Sequence, residues 1–70
     1  MKALVTLEDG KQFHISRTHI TELDELGRET KRQCTLRVAP VLKPGIPLVY
    51  GCKCGEITTK ERITGVIWRG

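Results

Sequence analysis

The sequence predicts a mainly β protein: a small, five-stranded, antiparallel, partly closed barrel with one short helix or structured loop. Three observations lead there. Apolar and polar residues alternate over several short stretches, the period of a strand with one buried face. Turn-forming residues separate those stretches, at Asp9-Gly10 and at Pro44-Gly45. The chain has 70 residues, which makes residues 1–70 one domain whose core is marginal unless a metal, a disulfide or a partner adds to it.

The opening is a hairpin. Residues 3–7 and 11–16 flank Glu8-Asp9-Gly10, and Asp-Gly is a strong short-range turn signal. A two-residue loop would scatter the apolar side chains over both faces. A three-residue loop with Gly10 left-handed sets Val5 opposite Phe13 and Ala3 opposite Ile15. Ala3, Val5, Leu7, Phe13 and Ile15 then share one face, and this register is preferred.

Residues 17–31 admit two forms. Ile20, Leu23 and Leu26 recur every three residues, with Thr18 as a candidate cap and Gly27 as a candidate stop. Leu26-Gly27-Arg28-Glu29 also reads as a hairpin tip. The recurrence favours a short helix or structured loop.

Cys34, Leu36 and Val38 alternate with Thr35, Arg37 and Ala39, and Leu48, Tyr50, Cys52 and Cys54 alternate with Val49, Gly51 and Lys53. Between them Pro40, Pro44-Gly45 and Pro47 read as a turn with frayed flanks. Pairing about Pro44-Gly45 makes residue numbers across the ladder total roughly 88–90. All three cysteines then face inward, while Arg37 and Lys53 stand together on the outer face. The last strand, Arg62–Trp68, is apolar on both sides, with Gly65 as a candidate bulge. Such a strand is central in a barrel or part of an interface, which leaves homo-oligomerisation through it open.

The strand–Asp-Gly–strand opening and the closing Ile63-Thr-Gly-Val-Ile-Trp68 resemble small barrels of the Sm-like or oligonucleotide-binding type. The resemblance spans about a third of the chain and carries over no functional residue; function drawn from it alone is analogy.

Net charge is +4, distributed unevenly: −2 over residues 1–29 and +6 over residues 30–70. The basic residues Lys31, Arg32, Arg37, Lys53, Lys60, Arg62 and Arg69 form a candidate phosphate-tracking surface. A solvated basic face is the plainer reading. Of the three aromatics, Phe13 and Tyr50 are assigned inward, so the base-stacking half of a single-strand-binding signature is missing. The acidic residues Glu22, Asp24 and Glu25, together with Trp68, form an alternative partner-binding set.

The thiols invite two chemistries. A zinc site would draw on Cys34, Cys52, Cys54 and His19, but Cys-x-Cys on a strand does not curl round an ion as paired Cys-x-x-Cys does. A cross-strand Cys34–Cys54 redox pair conflicts with a reducing compartment. Core packing is the preferred fate of all three, with no cofactor.

No nucleophile elbow surrounds Ser16, no calcium loop organises the carboxylates, and no glycine loop precedes a helix, so no enzyme is expected. The odd cysteine count and the lack of a secretory signal or long apolar run point to the cytoplasm. The functional expectation is a non-enzymatic intracellular module that binds nucleic acid through its basic second half. The alternative is a protein-binding regulator or inhibitor, of the size phages and mobile elements encode, and the third reading is a zinc-stabilised mini-domain.

Overall fold

A computed structural model describes residues 2–52 and 55–69. Six strands form: β1 (Lys2–Leu7), β2 (Gln12–Ser16), β3 (His19–Leu23), β4 (Glu29–Thr35), β5 (Pro47–Cys52) and β6 (Gly55–Arg69). They make one antiparallel sheet in the order β4-β3-β2-β1-β6-β5, curled into a half-barrel. The mainly β, barrel-like expectation holds. The strand count does not: the described residues form six strands rather than five.

The first hairpin has the expected register. Val5 pairs with Phe13 and Ala3 with Ile15. Gly10 takes φ +91° and donates its N–H to the Leu7 carbonyl at 2.9 Å. Ala3, Val5, Leu7, Phe13 and Ile15 are all buried and, with Ile20, Leu36, Leu48 and Ile63, make the core.

The short helix favoured for residues 17–31 is absent; β3 and the start of β4 occupy that segment. Ile20 pairs with Ile15 on one side and Cys34 on the other, so it faces the core with period two. Leu26 is 76 % exposed at the tip of the turn, and its place in a three-residue recurrence reflects no buried stripe. Gly27 (φ +80°) serves the hairpin turn, not a helix end. Asp24 fixes that turn: its Oδ1 accepts the N–H of Leu26 at 2.9 Å and of Arg28 at 2.8 Å.

The expected ladder between residues 34–39 and 48–54 is also corrected. β4 pairs with β3 and β5 with β6. One bridge, Leu36↔Cys52, survives in the predicted register, with the Arg37 N–H donating to the Gly51 carbonyl at 2.9 Å. The reason is proximity: Cys52 pairs with Gly55, far nearer along the chain than Cys34, and closing a shorter stretch of chain has a lower entropic cost. The strand expected at Arg62–Trp68 accordingly starts earlier, at Gly55, and runs for 15 residues.

β6 serves two neighbours, β1 with its second half and β5 with its first. Two irregularities let it bend. The register to β1 shifts between Thr6 and Leu7, with Thr64, beside Gly65, as the extra residue. The register to β5 shifts between Pro47 and Val49, and there the Thr59 hydroxyl stands in for a ladder bond: its Oγ1 accepts the Leu48 N–H and lies 3.0 Å from the Leu48 carbonyl. Bulges of this kind bend the strand, and the β5–β6 hairpin folds back until Tyr50 and Ile57 share a cleft of about 260 Å³ with Phe13, Ile20 and Cys34. No helix among the described residues is long and apolar enough to cross a membrane.

Candidate nucleic-acid interface

Antiparallel pairing sets direct neighbours on the same face of a sheet. Lys2 pairs with Arg69 on one side and with Ser16 on the other, so two cations stand opposite each other at the end where β1 begins and β6 ends. Like charges directly opposite across a strand pair repel. Arg17 lies in the adjoining turn and is exposed. Residues 1–7, 10–21 and 62–70 contain no Asp or Glu, and the carboxylate that approaches is Glu29 of β4, which shares a cleft of about 230 Å³ with Arg69 and lies 3.5 Å from His14 Nδ1. Trp68 pairs with Ala3 and therefore sits on the concave side, yet it is 56 % exposed. The turn beneath is held by Ser16, whose Oγ accepts the His19 N–H at 3.1 Å, and by the Leu36 N–H donating to the Thr18 carbonyl at 2.8 Å.

The basic set read from the sequence is split by the fold. Arg69 belongs to this cationic end. Arg37 lies past the end of β4, beside Gly51. Lys31 and Arg32 are exposed on the edge strand β4, and Arg32 reaches toward Glu22 at 3.8 Å. Lys60 and Arg62 flank Glu61 on β6 at the opposite end, where the Arg62 carbonyl accepts the Glu8 N–H at 2.9 Å. Lys53 lies outside the described residues, so its expected place beside Arg37 does too.

The acidic partner set is not one surface. Glu25 is exposed, but Glu22 faces Arg32, and Asp24 Oδ2 takes the Arg28 Nε at 3.1 Å. The Arg28 backbone N–H, aided by its guanidinium and the Leu26 N–H, holds the Asp24 carboxyl below its ordinary value against an opposing desolvation. Trp68 lies on β6, three strands across the sheet from β3.

Cys52 is buried and Cys34 half-buried against the core, both on the concave side; Cys54 lies outside the described residues. His19 pairs with Thr35, one residue out of step with the Ile20–Cys34 pair. It therefore faces away from Cys34, and its Nδ1 lies 2.8 Å from Thr18 Oγ1. Among the described residues no three potential ligands converge on a metal position.

Sequence reasoning missed Lys2 and Arg17 because it sought cations in the second half alone. Their signal was the hairpin register itself, which puts Lys2 at a strand end opposite Ser16; its pairing with Arg69 needed the adjacency of β1 and β6. It also missed the apolar cleft between residues 37–41 and β5, about 510 Å³ in volume. Compared with protein-family models, with curated proteins and with solved structures, the chain matches none of them.

Proposed function

We propose that the protein is a non-enzymatic module that binds single-stranded nucleic acid at its cationic end. One observation carries this reading: at one end of the sheet a like-charged cross-strand pair, Lys2 and Arg69, stands on the convex face, and the exposed indole of Trp68, the residue before Arg69, stands on the concave face behind it. Phosphates between the two cations relieve their repulsion, and a strand that turns round this end of the sheet stacks an unpaired base on the indole of the other face. Arg17 and Arg37 extend the track, whereas Lys60 and Arg62 lie at the other end and take no part. Likeness to Sm-like or oligonucleotide-binding barrels is part of the proposal through the opening hairpin and the closing motif, although the strand count departs from five.

Trp68 is the chain's one tryptophan, so its fluorescence reports the site directly. Titration with a short oligothymidylate at low salt is expected to quench it. Neutralising about three or four phosphates gives a slope of log K against log salt of about −2 to −3. Trp68→Ala removes one stacked base, worth about 1–3 kcal/mol. An oligonucleotide that neither quenches Trp68 nor binds at low ionic strength overturns the proposal, as does binding that Lys2→Ala with Arg69→Ala leaves unchanged.

A further inference from the structure

A second surface, away from Trp68, rests on different residues. β5 is an edge strand. Leu48 turns its N–H and carbonyl toward β6, where the Thr59 hydroxyl meets both at 3.0 Å. Alternation along a strand then turns the Val49 N–H and carbonyl the other way, the direction in which Gly51 accepts the Arg37 N–H. Beyond Arg37 the chain leaves β5: residues 38–46 belong to no strand. The apolar cleft opens between them and β5, lined among others by Val38, Val41, Ile46 and Val49. These four side chains are 69, 60, 37 and 40 % exposed. The opposite edge, β4, carries Lys31 and Arg32 and a register irregularity against β3, devices that discourage pairing. β5 has Pro47 at its first position and apolar residues after it. Residues 30–55 contain five cations and no Asp or Glu, and Glu56 is the acid at the cleft wall.

We infer that this cleft takes an extended peptide segment of a partner protein, added as a strand along the outer edge of β5, apolar at alternate positions and acidic at its flanks. The outward backbone groups around Val49 supply the ladder, the cleft receives every second side chain, and Lys43, exposed in the bordering segment outside the lining itself, tips the balance of Arg37 against Glu56 at the wall toward acidic flanks.

The test uses a fluorescein-labelled, end-blocked peptide Glu-Val-Thr-Val-Thr-Val-Glu and anisotropy with the full chain. Saturable binding is expected. N-methylation of the peptide's alternate amides should weaken it by about tenfold or more, the worth of one or two net hydrogen bonds. Replacing the flanking Glu with Lys should weaken it as well. Val49→Pro should cost about as much as N-methylation without lowering Tm, because the Val49 N–H lies outside the β5–β6 ladder. Trp68→Ala should leave peptide binding intact, which separates this surface from the nucleic-acid site. Absent binding, or N-methylated peptides that bind as tightly as the parent, overturns the inference whatever the fate of Val49→Pro. Concentration-dependent self-association abolished by Val49→Pro would put a second copy there and overturn it too.

Discussion

The two ends of the half-barrel share their strands and differ in what their charges meet. At the end bearing the Glu8–Gly10 and Asp24–Arg28 turns, opposite charges find each other within the fold: Lys11 with Asp9, Arg28 with Asp24, Arg32 with Glu22. At the other end Lys2 meets Arg69. The first arrangement completes turns. The second is a small internal cost that folding does not require; Glu29, which shares a cleft with Arg69 and lies 3.5 Å from His14 Nδ1, is the carboxylate the fold brings toward it, and a phosphate from outside would relieve it further. Charge count is therefore a poor guide to a binding surface: the acidic residues are the more clustered in sequence, yet Asp24 is occupied by its own backbone.

The strongest way to break the contrast is to remove the sheet both ends depend on. Ile15 is fully buried in β2, and Ile15→Ala should cost about 2–5 kcal/mol, comparable with the whole stability of so small a domain. Urea denaturation should show the chain largely unfolded and both ends lost. Thr59→Val is next, at about 1–3 kcal/mol, because it strips the buried Leu48 of the hydroxyl that serves its N–H and carbonyl. It should lower the denaturation midpoint while leaving oligonucleotide affinity of the folded fraction unchanged. An affinity that falls with it would mean that the β6 bend shapes the cationic end.

Legibility in the sequence followed the range of the interactions. The β1–β2 hairpin was readable to the residue because Asp9-Gly10 and the alternation of Ala3, Val5, Leu7, Phe13 and Ile15 decide the register locally. Burial of Cys34 and Cys52 followed from the same period-two logic. What failed was pairing. Proximity favours pairing residues 48–52 with residues 55–58 over residues 34–39, but the mostly polar run of residues 55–61 carries no alternation that announces a strand, and the Thr59 hydroxyl that makes the irregularity tolerable looks like any other strand threonine. The helix favoured for residues 17–31 came from a recurrence that turn chemistry overrode, since Asp24 and Gly27 make a turn where Leu26 points to solvent. The Lys2–Arg69 pair joins the two extremities of the chain, beyond the reach of any window.

Asp24 sharpens the contrast through pH. Its folded carboxyl titrates below the ordinary value of 3.8, so its charge contributes stability that is complete above that value and is lost as pH falls through the lower, folded one. Asp24→Asn keeps an acceptor and removes the charge. The variant should melt below the wild type by a constant margin from about pH 7 down to about pH 5, and the margin should close as the pH drops further, below about 4. A margin that persists in acid would assign the effect to shape rather than charge. Oligonucleotide affinity should be the same for both proteins at neutral pH.

Lys2→Glu is expected to give the smallest change in stability and the most informative one. It turns a repulsive cross-strand neighbour of Arg69 into an attractive one, so the fold should gain a few tenths of a kcal/mol, modest because both groups are exposed and screened by salt. Oligonucleotide binding should weaken in the same variant, and its salt slope should fall by about 0.7 for each phosphate that the variant leaves unneutralised. Charge effects on folding alone would move stability without binding, and nonspecific attraction to a chain of net charge +4 would weaken equally for Lys60→Glu at the opposite end. Opposite signs for stability and affinity at Lys2, with Lys60→Glu close to neutral in binding, are what a surface left unpaired for a polyanion requires.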